Sequence, residues 1–207
     1  MNSILIMALI NPMTYSSYRT LVETLAEEGS TTGLEQTDER IAFTKLNLQR
    51  MKRVEKQFAM LPEMATLLQK HQPHWRWLLL VESWCGDGAQ TIPAIASIAQ
   101  SVPTIELLIV PRDENQSLMN SCLTNGSRAI PKLICENHHT GERLFTWGPR
   151  PAAIQEKLVQ YKAENPGATH EEYMTQVHGW YAKDRSAALQ QDLLALMEQI
   201  LEPAQVV

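Results

Sequence analysis

The spacing of apolar positions changes about a third of the way along the chain. Between Thr14 and Gly29, the residues Tyr18, Leu21, Val22 and Leu25 recur on one face at helical spacing. Thr14 suits the N-cap of that helix and Gly29 the position after its last turn. Ser30 to Gln36 reads as a linker. Thr37 opens a second predicted helix with a stripe of Met51, Val54 and Phe58. Its other side carries Lys45, Arg50, Lys52, Arg53 and Lys56, read as a solvated basic face that also suits an acidic partner. A short third helix is predicted over Glu63 to Lys70, with Pro62 near its first turn.

Beyond it the helical spacing gives way to continuous apolar runs, Trp77 to Val81 and Ile105 to Val110, which suit strands buried on both faces. Lys132 to Cys135 and Arg143 to Trp147 read as two further strands. His138, His139, Thr140 and Gly141 form a hairpin turn between them. Helical stretches separate the strands, at Ala89 to Gln100 and Glu114 to Leu123, and another follows from Pro151 to Lys162. The order β, α, β, α, β, β, α predicts an α/β fold with a mixed central sheet, parallel at first and antiparallel in its final hairpin. Asn165-Pro166-Gly167 breaks the pattern, and two more helices follow. The last presents Leu189, Leu193, Leu194, Met197, Ile200 and Leu201 on one face. That face either covers the core or meets a second copy of the chain in a homodimer. The expected organisation is an N-terminal helical extension (1–72), a core (73–163) and a C-terminal helical extension (164–207), packed as one unit.

Composition narrows the function classes. The chain has 207 residues, 44% hydrophobic and 20% charged, the balance of a soluble globular protein. Its net charge of −5 argues against a nucleic-acid binder and against a polybasic membrane anchor. No apolar run is long enough to cross a bilayer. Ile4 to Ile10 is short and lacks the flanks of a secretory signal, so a cytoplasmic setting is expected. The sequence leaves the start open between Met1 and Met13. The 3 cysteines are too few for a secreted disulfide scaffold.

Chemistry concentrates in Glu82-Ser83-Trp84-Cys85-Gly86-Asp87-Gly88. Cys85 falls between a buried strand and a helix, where free backbone N–H groups and the helix dipole favour a thiolate. Asp87 and Glu82 oppose this by adding negative charge. An exposed helix-end effect is worth only ~0.3–1 kcal/mol, so one nearby carboxylate cancels it. No cation is adjacent in sequence, although Lys132 is placed to reach the same region.

This segment resembles the thioredoxin superfamily. The resemblance rests on Trp84-Cys85-Gly86 after a strand, Pro93 in the following helix, Ile130-Pro131 before the next strand, the turn at Gly141, and Gly148 ahead of the last core helix. As a whole the chain looks like a bacterial thioredoxin-like protein with helical extensions. The resemblance implies a cis peptide at Ile130-Pro131 facing Cys85, with Trp84, Gly86, Asp87, Gly88, Ile130 and Pro131 forming a substrate groove. The chain departs from the family at Gly88, where thioredoxins have their second, resolving cysteine. It departs again at Leu79, where they have a buried acid. Both losses argue against a dithiol reductase, because Cys85 alone cannot release a mixed disulfide.

Cys85 is therefore expected to form mixed disulfides with a protein thiol or a glutathione-like small thiol. The alternative is a redox-inactive binding module on the same fold. Cys135, on a strand, reads as a small core hydrophobe. Cys122 reads as helical, ahead of Asn125-Gly126, and as a poor resolving partner. No cofactor and no metal site are expected. His138 and His139 read as solvated turn residues, and the serine motif and late glycine-aspartate contacts of monothiol glutaredoxins, which hold an iron–sulfur cluster, are not evident.

Overall fold

The computed structural model describes residues 8–203, so Met1 and most of the Ile4 to Ile10 run lie outside the described residues. The chain enters along the sheet edge, where Met13 exchanges backbone hydrogen bonds with Ile109 at 2.8 and 2.7 Å. Helix α1 (Tyr15–Glu28) begins where Thr14 Oγ1 accepts from the Ser17 amide, and it ends at Gly29 in the left-handed conformation. Helix α2 (Asp38–Gln57) is capped by Thr37 and has Asp38 and Glu39 in its first turn, which favours the positive helix end. Pro62 opens α3 (Pro62–His71).

The core alternates β1 (Trp75–Val81), α4 (Gly86–Gln100), β2 (Ile105–Pro111), α5 (Gln116–Asn120), β3 (Lys132–Asn137), β4 (Arg143–Trp147) and α6 (Ala152–Glu164). The sheet order is β2-β1-β3-β4. β1 pairs parallel with β2 and antiparallel with β3, and β3 pairs antiparallel with β4. This is the mixed α/β sheet that the element order predicts. β1 is central, and Trp77, Leu79 and Leu80 on it are fully buried. Leu79, at the position of the family's buried acid, is packed as a core hydrophobe opposite Leu133.

Helix α5 is shorter than predicted, and Cys122 lies in the turn after it rather than inside it. The amides of Ser121 and Cys122 close back onto Leu118 and Met119 carbonyls, three residues behind, which tightens and ends the helix. Thr124 and Ser127 then bridge across Asn125 and Gly126, both at positive φ.

Helix α7 (His170–Asp184) starts with a capping box between Thr169 and Glu172, and α8 (Ala187–Leu201) follows. On α8, Leu189, Leu193 and Met197 join the main core with the sheet and α1 to α4, so much of its apolar face is covered within the chain. A smaller cluster of Ile154, Leu158, Val177, Tyr181 and Ala188 fastens α6, α7 and the start of α8 together.

The segment expected to be a linker is clamped to the turn ahead of Cys85. Ser83 Oγ lies 3.0 Å from both Thr31 Oγ1 and Thr44 Oγ1, and the Ser83 amide donates to Thr32 Oγ1 at 2.8 Å. Asn47 Nδ2 on α2 donates to the Ser83 carbonyl at 2.8 Å. These bonds satisfy buried polar groups that would otherwise be orphaned. They also fix α2 over the N-terminus of α4.

Candidate functional site

Cys85 is the N-cap of α4 and is only 7% exposed. Its Sγ accepts from the Gly88 amide at 3.3 Å and donates to the Ile130 carbonyl at 3.4 Å. The Ile130-Pro131 peptide is cis, as is Gly148-Pro149. Cys85, Ile130 and Pro131 thus meet at one end of the sheet. Burial pushes the Cys85 thiol up to about 12, and the Asp87 charge adds to the rise. The Gly88 and Asp87 amides and Arg112 pull the other way and do not overcome it. Desolvation wins over the helix end. At neutral pH the group is a thiol whose hydrogen is held by a carbonyl.

The neighbours of Cys85 are glycines for steric reasons. A Cβ on Gly86 would lie 2.7 Å from His178 Cε1, and one on Gly88 would lie 2.7 Å from Val81 Cγ2. Asp87 faces the extension. Arg150 grips both its oxygens, at 2.9 and 2.6 Å, and Tyr181 Oη donates to Oδ1 at 2.8 Å. Asp87 is therefore one half of a buried ion pair, which the one-dimensional reading of it as a free local charge missed.

Trp84 lies on the groove but does not offer an open aromatic face. Two guanidinium groups lie over its ring, Arg40 4.5 Å from the centroid and Arg112 at 5.0 Å. Glu82 is buried and turned away, accepting from the Asp113 amide at 2.9 Å. Burial raises its pKa, so it adds less charge than its sequence position suggests. Lys132 does not reach the groove: its Nζ donates to Thr124 Oγ1 at 2.6 Å and to the Gly148 carbonyl at 2.9 Å. The basic face assigned to α2 is also partly misread. Arg50 and Arg53 are half-buried, with Arg50 donating to Asn47 Oδ1 and Arg53 to Gln90 Oε1.

Cys135 is fully buried on β3, opposite Trp77 and Phe145. Cys122 Sγ donates to the carbonyls of its own turn at 3.4 and 3.5 Å. All three cysteines are free thiols. Among the described residues no group of three or more His, Cys, Asp or Glu side chains is placed to hold a metal ion.

Over Cys85 lies a groove of about 850 Å³. Cys85 and Ile130 are on its floor. Helix α2 lines one wall with Phe43, Leu46 and Arg50, and α7 lines the other with Met174 and His178. Phe43 and Leu46 are large apolar side chains left exposed there. The walls come from helices on either side of the core, more than a hundred residues apart in sequence, so no local pattern announced them.

The sheet order, the strand–cysteine–helix junction and the cis prolyl peptide opposite it define a thioredoxin-like protein. The sequence model of a thioredoxin family matches residues 33–165, and the chain belongs to that family. The match begins upstream of the expected core boundary at 73 and takes in α2 and α3. No curated protein matches the sequence. Two solved structures share the fold. The crystal structure of an HIV epitope-scaffold is 17% identical with a TM-score of 0.54, over 90% of this chain and 98% of that one. A protein of unknown function from Pseudomonas aeruginosa is 19% identical with a TM-score of 0.51, over 85% of this chain and 96% of that one. Among the described residues no helix is long and apolar enough to cross a membrane.

Proposed function

We propose that this chain is a thioredoxin-fold binding protein, which holds a small organic ligand non-covalently in the groove over Cys85. The observation that carries this reading is the packing of Cys85, whose thiol is buried and donates to the Ile130 carbonyl at 3.4 Å. Burial pushes that thiol up to about 12, so the thiolate is a minor form at neutral pH. Position 88, where a resolving thiol would stand, has no room for a side chain. The fold keeps the groove, and the chemistry of a dithiol reductase has no parts left to run on. A groove of about 850 Å³ falls in the ordinary range for small-molecule sites, ~300–1,000 Å³.

The test is a small-molecule fragment panel screened by amide chemical-shift changes on the native chain and on Cys85→Ser. Hits that move Ile130, Phe43 and His178 in both forms are the expected result. Hits confined to the native chain and abolished by a reducing agent would replace this reading with the second one.

The second reading is mixed-disulfide formation with a protein thiol or a glutathione-like small thiol. One observation favours it: the Gly88 amide donates to Sγ, as it would to a thiolate at a helix N-terminus. In that reaction Cys85 loses its proton to solvent, and the thiolate attacks one sulfur of a disulfide formed by such thiols. A new S–S bond forms as the old one breaks, and the other sulfur leaves as a thiolate that takes up a proton.

A further inference from the structure

Two hydrogen-bond donors converge beside Gly86: Arg50 Nη1, which gives one N–H to Asn47 Oδ1 at 2.8 Å, and His178 Nε2, which has no acceptor among the described residues. Measured from the point where a Gly86 Cβ would stand, His178 Nε2 is 2.9 Å away and Arg50 Nη1 is 3.2 Å away. His178 Nδ1 lies 3.1 Å from Gln90 Nε2, an amide donor, and Gln90 Oε1 is taken by Arg53. Nδ1 is therefore the acceptor and Nε2 carries the hydrogen. Burial and the neighbouring arginines hold His178 neutral, down at about 4, so this assignment stands at ordinary pH.

The cations here lack counter-charges. Arg50 and Arg53 are one turn apart on α2, are half-buried and repel each other, and neither has a carboxylate within ion-pair distance among the described residues. The nearest acid, Asp87, is already committed to Arg150 and Tyr181. The groove's other carboxylates, Glu39 and Glu171, are exposed at its rim. A half-buried guanidinium that has spent one N–H on a neutral amide and meets no carboxylate, beside a neutral imidazole N–H, is the recognition chemistry of an oxyanion.

We infer that Arg50 and His178 bind the terminal oxyanion, carboxylate or phosphate, of a small organic ligand, whose apolar part rests on Phe43, Leu46 and Met174. This rests on the binding reading above and names the ligand's chemical class. It also gives the helical extensions a role, since Arg50 comes from α2 and His178 from α7.

The test uses three probes with the same aromatic body: phenylpropionate, phenyl phosphate and uncharged phenylpropanol. Each is titrated into the full chain while the His178 ring and Ile130 amide signals are followed by NMR. At least one of the two anions is expected to saturate with a dissociation constant on the order of millimolar. The alcohol should bind about tenfold more weakly or worse, and Arg50→Gln should abolish the difference. Preference for phenylpropionate or for phenyl phosphate identifies which oxyanion the pair suits. Arg50→Lys keeps the charge without the fork and should give an intermediate affinity, which separates a lost anion contact from a damaged fold. Equal binding of the alcohol and the anions, or an Arg50→Gln variant that keeps the preference, overturns the oxyanion site and leaves the groove reading standing. Silence of His178 and Ile130 toward all three probes overturns both.

Discussion

Gly88 and Val81 are packed so closely that a Cβ on the glycine would lie 2.7 Å from Val81 Cγ2. Val81 is fully buried at the end of β1 and its branched side chain cannot swing aside. The missing resolving thiol is thus built into the packing of strand against helix. Gly88→Cys is expected to lower unfolding free energy by about 1–3 kcal/mol, the usual cost of overpacking a core. Urea denaturation of the two proteins checks this. A Gly88→Cys chain as stable as the native one would show that the strand yields easily.

Asp87 ties the start of α4 to the loop before α6 through Arg150 and to α7 through Tyr181. Removing one partner of a buried pair strands the other's charge, so Asp87→Asn should cost about 3 kcal/mol or more by denaturant titration. The same change removes a negative charge that raises the Cys85 pKa. Cys85 in Asp87→Asn should therefore alkylate faster than in the native chain at a given pH. An unchanged or slower rate would mean that Asp87 exerts no charge effect on the sulfur.

His178 gives the fold an acid-sensitive element. It is surrounded by Arg50 and Arg53 of α2, Asp87 of α4, and Arg150, and burial with the arginines lowers its pKa from the ordinary 6.5 to about 4. Above 6.5 neither the folded nor the unfolded chain protonates it. Between 6.5 and 4 the unfolded chain takes up the proton and the folded one does not, so stability falls as pH drops through that window. His178→Gln should flatten that part of the stability profile, and an unaltered slope would assign it to other groups.

The hydroxyl cluster of Thr31, Thr44 and Ser83 should hold the first extension to the site. Thr44→Val keeps the shape and removes one buried hydroxyl, leaving its partners short of a bond. The expected loss is about 1–3 kcal/mol, with faster hydrogen exchange at Ser83 and Thr32. Full protection at those amides in Thr44→Val would show that α2 is held by apolar packing alone.

Much of this architecture is legible in the chain because it depends on neighbours in sequence. Thr14 and Thr37 cap their helices through the next turn, and Trp77 to Val81 reads as a doubly buried strand. The junction at Cys85 follows from local order, whereas the cis Ile130-Pro131 opposite it is legible through the family resemblance. What could not be read depends on partners far apart. Nothing near Asp87 points to Arg150, and nothing near Arg50 points to His178. Nothing near Trp84 in the sequence points to Arg40 and Arg112, whose guanidinium groups lie over its ring. Burial decided the rest. Position alone placed Cys85 at a favourable helix end, whereas the surrounding atoms supply the larger, opposing effect.

The rate of Cys85 alkylation by iodoacetamide as a function of pH, located by mass spectrometry, tests the central claim most directly. A buried resting thiol near 12 should react about tenfold faster for each pH unit from 7 to 10, with no plateau in that range. A plateau reached by pH 8 would mean a thiolate at physiological pH and would contradict the account.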